Sequence, residues 1–113
     1  RLPRQIPYCR AMEILLTGER FDANEVLRMG LINKVVPHDQ VLPEAERYAR
    51  ILAEVGPFAV KKIKESIINC LGLPLDKAME KEFTYGLPVY MSEDAREGPR
   101  AFKEKRKPKF KGR

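Results

Sequence analysis

Ser92-Glu-Asp-Ala-Arg-Glu-Gly-Pro-Arg-Ala-Phe-Lys-Glu-Lys-Arg-Lys-Pro-Lys-Phe-Lys-Gly-Arg113 obeys two rules in succession. Its first part reads as a helix start: Ser92 offers an oxygen to free backbone N–H groups, and Glu93 and Asp94 sit against the positive helix end. Its second part is basic. From Arg100 onward eight Lys or Arg face the single acid Glu104, a local charge of +7. The whole chain carries +6, so residues 1–99 sum to −1, with 14 basic and 15 acidic side chains. The excess therefore belongs to the tail and points to an anionic partner there. Charge alone leaves open a phosphate-bearing small molecule, a nucleic acid, an acidic protein surface or bulk counterions. A solvated, frayed end is the commonest fate of such a run. Phe102 and Phe110 argue against it, because disordered basic tails are poor in aromatics. An aromatic beside cations can cover adenine while the cations neutralise phosphate, or it can stack on single-stranded bases.

Working back from Ser92, the chain reads as a series of helices. Leu75, Ala78, Met79, Phe83 and Leu87 form one apolar stripe, which Gly86 and Pro88 are expected to end or kink. Val60, Ile63, Ile67 and Leu71 form another between Gly56-Pro57 and Gly72, and Val41, Ala45, Tyr48, Leu52 and Val55 a third with Pro43 in its first turn. Asp22 stands three before Glu25, a capping box opening a short helix from Ala23 to about Met29 that Gly30 closes. Ile6, Cys9, Met12 and Leu16 give the first helix, ended by Gly18. Leu31-Ile-Asn-Lys-Val-Val36, stopped by Pro37, is a strand or an extended connector. A single strand has no ladder partner within these residues, which suggests a piece of a larger domain. Arg1-Leu-Pro-Arg4 is neither a signal peptide nor an initiator methionine and points the same way.

At 113 residues and 43% hydrophobic content, the chain is the size of one small domain or part of a larger one. No apolar run approaches the roughly 20 residues that span a bilayer, so no membrane association is expected. Cys9 and Cys70 lie far apart, in no CxxC or His-bearing cluster, which gives a metal or redox motif little support and suits small core residues in a reducing cytoplasm. Catalytic chemistry is sparse. His38 is the only histidine and sits in a loop with no nucleophile beside it; Glu44/Glu46 and Glu80/Glu82 lie two apart and point in different directions. The glycines read as helix terminators, not as a phosphate cradle.

Five blocks in order carry a resemblance: Arg1–Arg4, Ala11–Glu19, Asp22-Ala23, Gly30–Pro37, and Ser92–Gly98 with Ala101–Pro108. Together they resemble the C-terminal part of the enoyl-CoA hydratase/isomerase (crotonase) family over nearly the whole chain. Ile6-Pro7 and the ending from Glu97 to Arg113 resemble carnitinyl-CoA dehydratase-like members. The resemblance implies a mainly α segment, residues 1–113, forming the C-terminal helical and oligomerisation portion of a crotonase-like α/β spiral fold, with at most one short strand near 31–36. It implies an acyl-CoA-binding enzyme, with reversible hydration of a 2-enoyl-CoA as the leading reaction and isomerase or carnitinyl-CoA dehydratase chemistry as alternatives. Outside the resemblance stands a non-enzymatic nucleic-acid-binding module. The family's oxyanion N–H donors and proton-transferring acids precede the Arg1–Arg4 block, so no catalytic residue and no metal ligand is expected in this chain, and the isolated segment is expected to be inactive. Two roles remain: packing subunits into a homotrimer or hexamer, and closing the coenzyme A site with Phe102 and Lys105. The thioester is substrate, and no cofactor is implied. The spacing of three between Phe102 and Lys105 places both on one helical face, as closing that site requires.

Overall fold

Helix signals in the sequence become helices in the computed structural model, which describes all residues 1–113. The chain forms two units, residues 1–44 and 45–113. In the first, a 3₁₀ turn at Leu2–Arg4 leads into helix α1, Tyr8–Thr17. Ile6 and Ala11 are buried there, the only fully buried apolar side chains of this unit. Gly18 ends α1 at φ 63, where a left-handed residue is needed and glycine carries no Cβ penalty. Helix α2, Ala23–Arg28, opens with the expected capping box: the Glu25 N–H donates to Asp22 Oδ1 at 2.8 Å, and the Asp22 N–H to Glu25 Oε2 at 2.9 Å. Residues 31–36 are bends and irregular backbone, with no strand. The connector reading therefore holds. The stretch stays in place without a ladder, and Lys34 Nζ donates to Glu44 Oε1 at 2.9 Å.

A 3₁₀ turn at His38–Gln40 precedes α3, Val41–Glu54. In the second unit Gly56 caps α4, Pro57–Cys70, with Pro57 in the first turn, where a missing N–H costs least. Gly72, at φ 91, and Pro74 reverse the chain into α5, Leu75–Tyr90, which pairs with α4. The expectation that Gly86 or Pro88 would end this helix is overturned: α5 runs through both to Tyr90. Pro88 removes one hydrogen bond near the helix end, and the Met91 N–H closes the last turn on the Leu87 carbonyl at 3.0 Å. Helix α6, Glu93–Lys103, follows directly from the Ser92 cap.

The apolar stripes do not make a core here. Ala101 is the one fully buried apolar side chain of the second unit, while Ile67 and Phe83 are 61% and 62% exposed, as are many of their neighbours on α3, α4 and α5 to similar degree. Cys9 is exposed and Cys70 only half-buried, which corrects the expectation of two core cysteines: the faces that carry them have no covering layer in this chain. No helix is long and apolar enough to cross a membrane.

Candidate functional site

The tail that reads as a charge run is tied down by two carboxylates of α6. Asp94, buried in the first turn, accepts the Lys111 N–H at 2.6 Å and the Gly112 N–H at 2.8 Å, one on each oxygen, and its own N–H donates to the Arg113 carbonyl at 3.2 Å. Glu97, one turn on, accepts the Lys109 N–H at 2.8 Å and both terminal nitrogens of Arg106, with Nη2 to Oε2 at 3.0 Å. Phe110 lies between these anchors with its ring against Gly56 and Gly98. The frayed-tail reading therefore fails: four backbone or guanidinium attachments and one ring hold residues 106–112 against α6 and the α3–α4 corner.

Charge pairing sorts the eight basic residues. Arg100 and Arg106 meet Glu104, Arg106 also meets Glu97, Lys107 meets Glu54 at 3.4 Å, and Lys111 and Arg113 meet Glu93. Lys103, Lys105 and Lys109 have no acidic partner for their ammonium groups. The pairs leave their mark on titration. Arg106, and then the Lys109 N–H, pull Glu97 down from its usual 4.5 to about 2. Lys111 lowers Glu93, Arg106 followed by Arg100 lowers Glu104, and Glu97 followed by Glu104 raises Arg106.

Phe102 and Lys105 stand at the helix end. Phe102 is 87% exposed, so its ring has no intrachain burial to explain it. The expectation that both share a helical face is corrected: α6 stops at Lys103, and Lys105 lies beyond the cap at φ 53, the only non-glycine residue in the left-handed region. They meet through the backbone. The Lys105 N–H donates to the Phe102 carbonyl at 3.1 Å, and the Arg106 N–H reaches the Ala101 carbonyl at 3.0 Å. These two bonds form a Schellman closure, in which position 105 is the one glycine usually fills. Residues 102–109 thus carry an open aromatic ring, three unpaired ammonium groups and a hydrogen-bonded turn. That combination suits a planar ring attached to phosphates.

Sequence reasoning nominated Phe102 and Lys105 but treated Asp94 only as a helix-dipole acid and missed the part played by Glu97 in holding the tail. A signal existed in their spacing of three, which aims both carboxylates along one face of a capped helix followed by a donor-rich tail. Catalytic convergence is absent. His38 is exposed on its turn, Glu13 is engaged with Arg10 at 2.7 Å, and no three His, Cys, Asp or Glu side chains gather as a metal site would need.

A family model described as enoyl-CoA hydratase/isomerase matches residues 1–113. The chain belongs to that family. Over 113 residues it is 45% identical to the enoyl-CoA hydratase EchA19 of Mycobacterium tuberculosis, covering all of this chain and 42% of that relative. It is 38% identical to the carnitinyl-CoA dehydratase of Citrobacter koseri, again covering all of this chain and 45% of the relative. A solved structure described as an enoyl-CoA hydratase/isomerase from Mycobacterium abscessus superposes with a TM-score of 0.97 at 45% identity, covering the whole of this chain and 47% of that one. The chain thus spans about half the length of the relatives it matches, and its helices are those of a crotonase-fold protein. Hydratase chemistry places negative charge on the thioester oxygen, where fixed donors and a positioned acid or base act. The residues of this segment gather neither around a common point.

Proposed function

We propose that this segment serves an acyl-CoA-binding enzyme that reversibly hydrates 2-enoyl-CoA, and that it supplies subunit contacts and the part of the coenzyme A site that meets the nucleotide end. One observation supports this most. Five of the eight cations of the basic tail are paired with acids of this chain, Lys103, Lys105 and Lys109 are not, and the same segment carries the exposed Phe102 ring. Bond-making belongs to residues outside positions 1–113. The exposed stripes of α3, α4 and α5 are apolar area of the kind that marks a protein interface, and a homotrimer, alone or paired into a hexamer, would cover it. Two free thiols suit a reducing compartment such as the cytoplasm.

A second reading, dehydration of carnitinyl-CoA, draws on the 38% identity to the Citrobacter koseri enzyme, which is lower than the 45% to the mycobacterial hydratase. A nucleic-acid role for the basic tail loses support because Phe110 is engaged against Gly56 and Gly98, which leaves the tail one open aromatic where a stacking platform needs several. The test is Lys105→Ala in the complete protein that carries this segment. Affinity for the CoA thioester falls about tenfold, the scale of one lost charge-assisted contact, while the same acyl group on pantetheine binds as before. Equal losses on both ligands would remove the coenzyme A reading. Binding of single-stranded DNA that weakens steeply with salt, with no response to CoA, would install the nucleic-acid one.

A further inference from the structure

The same closure ends two helices of this chain with different residues at its critical point. After α2, the Gly30 N–H bonds the Leu27 carbonyl at 3.0 Å and the Leu31 N–H bonds Val26 at 3.2 Å; after α6, Lys105 and Arg106 make the equivalent bonds to Phe102 and Ala101. Gly30 adopts φ 79 freely, whereas Lys105 at φ 53 pushes its Cβ toward the backbone. A closure that favours glycine but holds lysine needs support from outside the turn. Glu97 provides it. Its carboxylate grips Arg106, the residue after Lys105, and also the Lys109 N–H, so both the exit from the turn and the next stretch of chain are tied to one side chain of α6. Glu104 adds a second tie, from Arg106 Nε at 2.6 Å and from Arg100 Nε of α6 at 3.0 Å, but it makes no bond to the backbone beyond the turn, whereas Glu97 also holds the Lys109 amide.

We infer that Glu97 is a positioning residue for the coenzyme A contact: by clasping Arg106 and the Lys109 amide it holds Lys105 left-handed and keeps Lys105 and Phe102 set for the nucleotide end before the substrate arrives. This rests on the coenzyme A reading above. A preset turn spares the ligand the cost of ordering a lysine-rich tail, so the benefit appears in binding of the nucleotide portion and not in the chemical step.

The experiment compares Glu97→Ala, Glu97→Gln and Lys105→Ala in the complete protein, each with crotonyl-CoA and with crotonyl-pantetheine, which lacks the nucleotide. Glu97→Ala raises KM for the CoA thioester about tenfold with kcat changed less than about twofold, as loss of preorganisation requires. Its KM for the pantetheine thioester stays at the parent value. Glu97→Gln keeps an acceptor of the same shape without the charge and falls between. Adding Glu97→Ala to Lys105→Ala costs much less than Glu97→Ala costs alone, because Glu97 acts mainly through Lys105. A rise in KM on both substrates would mark Glu97 as a general fold residue and overturn the inference. So would an unaltered Glu97→Ala protein beside a selective Lys105→Ala one, which would leave the coenzyme A reading standing. If Lys105→Ala itself shows no selectivity, reading and inference fall together.

Discussion

Lys105 combines an unfavourable backbone with an unpaired charge, and the two can be separated by substitution. Lys105→Gly relieves a left-handed cost on the order of 1 kcal/mol, and it loosens the unfolded chain by about 0.4–1 kcal/mol in the opposite sense. The thermal midpoint is therefore expected to stay where it is while affinity for the CoA thioester drops, as measured by calorimetric titration beside a melting curve. A large fall in the midpoint would mean that the lysine side chain supports the fold. Charge and aromatics made the tail and Phe102 legible as candidates, and the family resemblance singled out Lys105. Their geometry was not, since nothing in the local spacing reveals that α6 stops at Lys103 or that a lysine takes the glycine position. Asp94 and Glu97 escaped notice for a related reason: their partners are backbone N–H groups at Lys109, Lys111 and Gly112, which every residue type but proline offers and which therefore leave no signature in sequence.

Among the elements, the caps were the most readable and α6 carries the most consequence. Ser92 is buried; its hydroxyl accepts the Ala95 N–H at 3.1 Å and donates to the Val89 carbonyl at 2.6 Å, so one oxygen joins the end of α5 to the start of α6. Ser92→Ala is expected to lower stability by about 1–2 kcal/mol, read by denaturant titration. The exposed capping box at Asp22 is expected to cost about 1 kcal/mol when cut to alanine. The tail clasp also has a pH signature. Because Glu97 titrates near 2 in the folded chain instead of near 4.5, its contribution is complete above about pH 4.5 and is lost as pH falls through about 2. Glu93 and Glu104 shift in the same direction and reinforce that sign. Protection of the Lys109 amide against hydrogen exchange should fade across that interval, and a Glu97→Gln protein should lack the dependence. Prolines were the least readable elements. Pro88 and Pro99 both sit inside helices, because each removes only one bond and the neighbouring turns stay closed.

For the whole molecule, the decisive fact is how few apolar side chains find cover: Ile6, Ala11 and Ala101. Burying one Leu- or Phe-sized side chain contributes about 1.5–3 kcal/mol, and the stripes of α3, α4 and α5 leave most of that unrealised. Helical periodicity announced those stripes correctly, but period alone does not say whether a face meets its own domain, the remainder of a longer chain or a neighbouring subunit. The isolated 113-residue polypeptide is accordingly expected to bind a hydrophobic dye and to unfold over a broad range without a sharp transition. It is also expected to leave crotonyl-CoA unhydrated, followed by the persistence of the enoyl thioester absorbance. A cooperative melt with no dye uptake would show that these residues are self-sufficient, and turnover by them would relocate the chemistry.

The grip of Asp94 on Lys111 and Gly112 has a practical side. A preparation clipped by proteolysis after Phe110 would lose both amide donors and strand the carboxylate of Asp94, a residue only 7% accessible. Such a ragged preparation would imitate a damaged ligand site while every designed codon remained intact, so an intact-mass spectrum belongs before any weak affinity is blamed on a substitution.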